Sequence, residues 1–155
     1  MKKHILLLLL FFNISYLYSQ STYTAKVVGI KDGDTVVVLD SLNYQTTLRL
    51  AEVDCPEKNQ PFGTKAKQFT SDQIFRKQIK HIVTDIDIYG RSIAKIYYDD
   101  NKYLSAEIIK NGLGWHYKKY STSKKIASFE NSARLQKLGL WSDKNPIAPW
   151  DWRRK

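Results

Sequence analysis

The chain has 155 residues, 43% of them hydrophobic, and a formal net charge of +10. This length fits one domain, the apolar fraction is large enough to bury a core, and the single cysteine, Cys55, excludes an intrachain disulfide. The basic excess favours a polyanionic partner, either nucleic acid or an anionic membrane surface, but a soluble protein with a high isoelectric point would have the same charge.

Residues 1–19 are predicted to be a secretory signal peptide. Lys2 and Lys3 precede an unbroken apolar run from Ile5 to Phe12, and Ser19 offers a small residue at a cleavage point. The run is shorter than the ~20 apolar residues of a membrane-spanning helix. We therefore expect cleavage near Ser19, no stable membrane span and a secreted or periplasmic protein.

Apolar periodicity in residues 20–142 predicts an α+β domain. Strands are predicted at Tyr23–Ile30, Thr35–Leu39, Gln45–Val53, Ile79–Asp85 and Ser92–Tyr98. Helices are predicted at about 62–78, at 104–110, and from a cap within Ser121–Ser123 to near Gly139. Five short strands with one helix after the third are typical of a small OB-type barrel with further helices outside it.

Residues 143–155 are predicted to be a basic, aromatic tail after the domain. Trp141 is expected to pack against the barrel. Trp150 and Trp152 could dock on the domain or could extend a surface for nucleic acid, and both interpretations stay open. The tail closes with a basic run, Arg153-Arg154-Lys155.

The stretch from Asp32 to Glu57 carries the acidic residues that suggest chemistry. Asp34 opens the second predicted strand, and Asp54 and Glu57 follow the third. Antiparallel pairing of these strands would bring the start of one beside the end of the other, so the three carboxylates and Arg49 could share one small volume. Clustered carboxylates repel one another unless a hard cation lies among them, and oxygen ligands suit Ca²⁺.

In combination, these motifs resemble the thermonuclease (staphylococcal nuclease-like) family. They are Asp32-Gly33-Asp34-Thr35, Arg49, Asp54-Cys55-Pro56-Glu57 and Tyr89-Gly90-Arg91, and the resemblance spans about Tyr23 to Trp141. Each motif alone is also an ordinary turn or loop. The resemblance implies a five-stranded OB-type β-barrel with three helices, and a Ca²⁺-dependent nuclease that cleaves DNA and RNA and leaves 3′-phosphates.

Asp34 and Asp54 are the candidate Ca²⁺ ligands, with the backbone carbonyl of Cys55 as a third. A lone cysteine beside an aspartate could also suggest a nucleophile. No histidine lies near it in sequence, so we expect only a small, partly buried side chain.

Glu57 is the candidate general base, acting on a water near the metal. Arg49 and Arg91 are the candidate clamps on the phosphate, since a guanidinium is a planar fork that stays charged at any working pH. Each residue also has a simpler interpretation. Arg49 could only pair with Asp54, Glu57 could cap the following helix, and Arg91 could be a solvated turn residue.

Aromatic and basic residues mix after the second helix and beside Arg91. Aromatic faces stack on bases and lysines meet phosphates. The predicted substrate contacts are Tyr89, Tyr117, Tyr120, Lys118 and Lys119. Alternatively, Trp115 and Tyr117 could belong to the core.

Together these features predict a monomeric, sugar-non-specific nuclease that favours single-stranded DNA and RNA. The main alternative is a non-catalytic nucleic-acid-binding module on the same barrel. A third possibility is an envelope or matrix protein whose basic face binds anionic polymer or lipid. The presence of every candidate carboxylate and arginine argues against a protein that only binds.

Overall fold

The computed structural model describes residues 21–154, so the predicted signal peptide lies outside the described residues. The strands are β1 (Thr22–Asp32), β2 (Thr35–Leu39), β3 (Gln45–Leu50), β4 (Val53–Asp54), β5 (Gln78–Ile86), β6 (Ser92–Tyr98), β7 (Lys102–Tyr103) and β8 (Trp115–His116). The helices are α1 (Gly63–Ile74), α2 (Leu104–Lys110), α3 (Lys124–Leu135) and α4 (Pro149–Trp152), with a 3₁₀ turn at Gly139–Ser142. Within the described part of the chain, no helix has the length and apolar character to cross a bilayer.

Five of these strands close into a barrel, which confirms the predicted fold class. The order β3-β2-β1-β5-β6 is antiparallel throughout, and β6 then pairs in parallel with β3, from Leu48 opposite Ser92 to Leu50 opposite Ala94. The short strand β7 extends β6 outside the ring. This closure brings the ends of β2, β3 and β6 to one rim of the barrel.

The barrel interior is built from alternate strand residues, as a period of two requires. Three helices cover it, with α1 and α2 contributing the larger part of the buried helical side chains. Burying each large aliphatic side chain stabilises the fold by about 1.5–3 kcal/mol. Fully buried members of the cluster include Val27, Val36, Leu48, Ile96, Ala66, Ile74, Leu104 and Ile108.

The prediction of one strand from Gln45 to Val53 was wrong, because the chain turns sharply at Glu52. Glu52 has a φ of 68°, which interrupts the ladder, and Val53–Asp54 instead pairs with Trp115–His116. Two hydrogen bonds to the Glu52 carboxylate stabilise this turn, one from the Tyr103 hydroxyl at 2.8 Å and one from Ser121 Oγ at 3.0 Å. The turn points Asp54 back toward Arg49 at the end of β3.

Two helices are shorter than predicted. α1 ends at Ile74 rather than Gln78, because Arg76 has a φ of 65° and starts the turn into β5. α3 ends at Leu135, well before Gly139, and Lys137 follows with a φ of 52°. The predicted cap is confirmed, since the Ser123 hydroxyl accepts a hydrogen bond from the backbone of α3.

The tail lies against the domain. Trp150 of the tail stacks on Tyr117 with ring centroids 5.6 Å apart. Trp141, which precedes the tail, packs on Ala133 and Leu140 and meets Trp115 edge-on, with ring centroids 4.4 Å apart. Gln60 Nε2 donates a hydrogen bond to the backbone carbonyl of Ile147 at 2.6 Å. These contacts favour the docking interpretation of the tail, while the boundary after residue 142 stays a prediction.

Candidate active site

The start of β2 and the end of β3 are neighbours, as antiparallel pairing requires. Thr35 is opposite Arg49, and the Leu50 N–H donates a hydrogen bond to the Asp34 carbonyl at 2.8 Å. Gly33 lets the turn before β2 pack closely against α1 and Cys55, because a Cβ there would lie 2.8 Å from the Cβ of Ala66 and 2.9 Å from that of Cys55. The Asp-Gly turn therefore places Asp34 against the interior at the rim.

Arg49 joins the two candidate metal ligands. Its Nη1 forms an ion pair with Oδ2 of Asp34, and its Nη2 donates to Oδ1 of Asp54 at 2.6 Å. Both carboxylates are almost completely buried, with Asp34 5% and Asp54 1% exposed. The predicted clustering of Asp34, Asp54 and Arg49 is thus confirmed. The simpler interpretation, a pairing of Arg49 with Asp54, describes one of the two ion pairs that Arg49 forms.

Cys55 contributes to the cluster through its backbone. Its N–H donates to Oδ2 of Asp34 at 2.6 Å. Burial, followed by the charge of Asp34, raises the pKa of the thiol well above its ordinary value, so the sulfur stays protonated. A thiolate nucleophile at this position is therefore unfavourable. The role of the Cys55 carbonyl as a metal ligand stays a prediction.

Arg153 is a residue of this cluster that sequence reasoning missed. Its Nη2 donates to Oδ2 of Asp54 at 2.8 Å, and its Nη1 donates to Oε1 of Glu57 at 2.6 Å. The basic tail was visible in the sequence, but spacing cannot place a residue 99 positions from its partner. Glu57, expected beside the metal or at a helix cap, is therefore tied to Asp54 through Arg153.

The cluster holds more negative than positive charge. Burial, followed by the charge of Asp34, raises the pKa of Asp32 to about 6. Burial also raises the pKa of Asp54, outweighing Arg153 and Arg49. Burial alone would raise the pKa of Asp34 too, but Arg49 and hydrogen bonds to the carboxylate lower it on balance.

This excess charge and the oxygen donors fit a hard divalent cation. Four carboxylates against two guanidinium groups leave an excess of two negative charges, from Asp32, Asp34, Asp54 and Glu57 on one side and Arg49 and Arg153 on the other. Within residues 21–154, no group of three or more His, Cys, Asp or Glu side chains is placed so that it could hold a metal ion. Two aspartates would therefore need backbone, water or substrate oxygens to complete the shell.

Arg91 lies near this rim but is paired elsewhere. Strand register places it two residues before Ile93, the partner of Arg49. Its Nε donates to Oδ2 of Asp87 at 2.6 Å within the β5–β6 turn, and its guanidinium lies 5.5 Å from the ring centre of the exposed Tyr89. The observed pairing of Arg91 with Asp87 is that of a turn residue. The predicted roles of Arg91 as a phosphate clamp and of Tyr89 as a substrate contact stay predictions.

Four aromatic rings form a continuous row, defined here as Tyr120, Tyr117, Trp150 and Trp115. Tyr117 meets Tyr120 edge-on at 4.9 Å and stacks on Trp150 at 5.6 Å with an interplanar angle of 5°. Trp150 meets Trp115 edge-on at 5.6 Å. Because the backbone of Trp115 pairs with that of Asp54, the aromatic row starts beside the carboxylates.

The two predicted lysines flank the aromatic row differently. Lys119 Nζ lies 5.2 Å from the ring centre of Tyr120, and both side chains are exposed to solvent. Lys118 Nζ lies 3.5 Å from a carboxylate oxygen of the buried Glu130. Trp115 is half-buried, so its interpretation as a packing residue is partly right.

Comparison with known proteins places the sequence of this chain in a family. Residues 47–143 match the family model described as staphylococcal nuclease homologue. The chain belongs to this family. The match begins inside β3, so this member of the staphylococcal nuclease family carries Asp34 before the matched range and Arg153 after it.

The sequence similarity to individual proteins covers most of this staphylococcal nuclease homologue. An uncharacterized endonuclease of Haemophilus influenzae is 38% identical over 148 residues, covering 96% of this chain and 83% of its own. A protein of Shigella flexneri named micrococcal nuclease is 38% identical over 143 residues, covering 85% of this chain and 81% of its own. An uncharacterized endonuclease of Escherichia coli O157:H7 is 33% identical over 155 residues, covering 100% and 99% respectively.

Proposed function

We propose that this protein is a Ca²⁺-dependent endonuclease that hydrolyses phosphodiester bonds of DNA and RNA and leaves 3′-phosphates. Membership of a family whose named relatives are endonucleases makes it a phosphodiester hydrolase. The observation that carries the proposal is the bridge from Arg49 to two buried aspartates, with Glu57 at the same rim. This is the set of groups that the reaction requires.

In the proposed site, Asp34 and Asp54 hold the ion, with the Cys55 carbonyl as a further oxygen ligand. A Ca²⁺ ion held there would supply positive charge that stabilises the negative charge developing on the phosphoryl oxygens. Hydrogen bonds from Arg49 to Asp54 and from the Cys55 N–H to Asp34 hold the two carboxylates at fixed positions at the rim.

Glu57 and the guanidinium groups act on the substrate. Glu57 accepts the proton of the attacking water, whose oxygen forms the new bond to phosphorus while the bond to the 5′-oxygen breaks, and the departing 5′-oxygen takes a proton from solvent water. Arg49 donates to the phosphoryl oxygens, and Arg91 joins it when its guanidinium leaves Asp87. The expected products are a 3′-phosphate and a free 5′-hydroxyl.

The exposed part of the aromatic row supports a preference for single strands. A base must be unstacked before it can lie on a tyrosine ring, and duplex bases are not available in this way. Tyr117 and Tyr120 with Lys118 and Lys119 are the proposed contacts. The signal peptide predicted at residues 1–19 supports a secreted or periplasmic location, and the enzyme is proposed to act there as a monomer.

An activity assay tests the proposal directly. We expect purified protein with Ca²⁺ to release acid-soluble nucleotides from single-stranded DNA faster than from duplex, and to release none with EGTA. Asp34→Asn should bind Ca²⁺ more weakly and lose activity that added Ca²⁺ only partly restores. End analysis should find 3′-phosphates. Binding of DNA without any cleavage under all metal conditions would instead indicate the non-catalytic module.

A further inference from the structure

The guanidinium of Arg153 forms hydrogen-bonded ion pairs with the carboxylates of both Asp54 and Glu57. We infer that Arg153 is a further residue of the active site, a positioning residue that neutralises these two carboxylates in the metal-free enzyme and competes with the divalent cation for them. The inference rests on the proposed function, because it assigns Asp54 to the metal and Glu57 to the attacking water.

Competition follows from which oxygens are used. Oδ1 of Asp54 accepts from Arg49 at 2.6 Å, and Oδ2 accepts from Arg153 at 2.8 Å. A second nitrogen of Arg153 lies 3.4 Å from Oδ1 and 2.6 Å from Oε1 of Glu57. A cation that used Oδ2 would therefore meet a positively charged group in direct contact with its ligand, and the two repel at this separation.

The backbone of Arg153 is fixed, whereas its side chain is partly exposed to solvent. Its N–H donates to the Pro149 carbonyl at 3.0 Å, which holds it to the last turn of α4. Trp150 anchors the same turn by stacking on Tyr117. The Arg153 side chain is 41% exposed, whereas that of Asp54 is 1% exposed. Exchange of guanidinium for metal therefore needs only side-chain rotation, with α4 in place.

The neighbouring Arg154 provides a matched control. Its guanidinium pairs with Asp151 and with the carbonyl of Trp150, on the same short helix, and its side chain is 73% exposed. Replacing Arg154 removes the same formal charge from the tail without touching Asp54 or Glu57. A general effect of tail charge would appear in both variants, whereas competition for the ligand oxygens appears only at Arg153.

The test is calorimetric titration of the metal-free full chain with Ca²⁺, without nucleic acid. We expect Arg153→Gln to tighten the dissociation constant for Ca²⁺ by about three- to tenfold, since a partly exposed ion pair is modest in strength. Arg154→Gln should leave it within about twofold. Arg153→Gln should also lower the melting temperature in EGTA, and Ca²⁺ should restore it, because the ion replaces the lost countercharge.

Arg153→Lys covers the case in which the glutamine variant does not fold. An ammonium keeps the charge but cannot span two carboxylates, so Ca²⁺ affinity should lie between those of the wild type and the glutamine variant. Unchanged or weaker Ca²⁺ binding in the folded variants, with the wild type active, would overturn the inference and leave the proposed function standing. Wild-type protein that neither binds Ca²⁺ nor cleaves DNA would refute both.

Discussion

Asp54 lies five residues after Arg49 and still accepts a hydrogen bond from its guanidinium at 2.6 Å. A continuous strand would point the two side chains to opposite faces and far apart. The reversal at Glu52, where φ is 68°, is what folds Asp54 back onto the end of β3. The left-handed residue is thus part of how the site is built.

Arg49→Lys should be nearly as damaging to turnover as Arg49→Ala. A lysine can pair with Asp34 or Asp54 but cannot bridge both, and it cannot bind two phosphoryl oxygens as a fork. Added Ca²⁺ should restore much of the lost thermal stability without restoring turnover, because the ion can neutralise the carboxylates but not replace the clamp. Near-wild-type turnover of the lysine variant would make Arg49 a structural partner only.

Glu57→Gln should lower turnover by about 10²–10⁴, the usual contribution of a general base. The amide keeps an oxygen that can accept from Arg153, so the local geometry should survive. Calorimetric affinity for a non-hydrolysable dinucleotide with Ca²⁺ should be retained. If nucleotide and Ca²⁺ binding were lost together in a folded protein, Glu57 would belong to the metal site first.

Tyr120→Ala should raise KM for single-stranded DNA by about 5- to 160-fold with little change in kcat, since stacking is worth ~1–3 kcal/mol per base. Tyr120 is 63% exposed at one end of the aromatic row. Tyr44→Ala is the matched control, because Tyr44 is 68% exposed in the turn at the opposite end of β2 and β3. Equal KM changes in both variants would contradict a stacking role for Tyr120.

Cys55→Ser should keep most of the activity and lose stability. The backbone N–H that holds Asp34 is unchanged, and the thiol is not needed as a nucleophile. A serine hydroxyl buried there without a hydrogen-bond partner should lower the free energy of unfolding by roughly 1–3 kcal/mol. Rates at 25 °C and melting temperatures check both parts. A loss of activity as large as that of Asp34→Asn would reopen a role for the thiol.

Stability should fall in mild acid partly through His81. Burial lowers the pKa of His81, and its Nδ1 has no hydrogen-bond partner among the described residues. The unfolded chain therefore binds a proton more readily, so this stabilisation is full above the ordinary value of 6.5 and is lost as pH falls below it. His81→Phe, which can still stack on Tyr23, should show a smaller drop in melting temperature between pH 7.5 and 5.5. An equal drop would exclude His81 as the cause.

The sequence predicted local features well because they depend on neighbouring residues. β2 has the predicted bounds, Thr35–Leu39, and Asp34 meets Arg49 as hairpin pairing requires. The break at Glu52 was missed because its carboxylate is satisfied by Tyr103 and Ser121, which lie far along the chain. Arg153 was missed for the same reason, since side-chain pairing over long separations leaves no periodic trace.

The parallel pairing of β3 with β6 has a consequence for how the protein folds. The β1–β2–β3 meander and the β5–β6 hairpin can each form from local contacts. The β3–β6 seam joins Leu48 to Ser92 and the β1–β5 pairing joins Thr22 to Ile82, so we expect both to form late, because long loops must be ordered first. Arg49 belongs to the first unit and Arg91 to the second. Until the seam closes, β3 and β6 present open edges that can pair with another chain, so conditions that slow this step should promote aggregation rather than misassembly of the site.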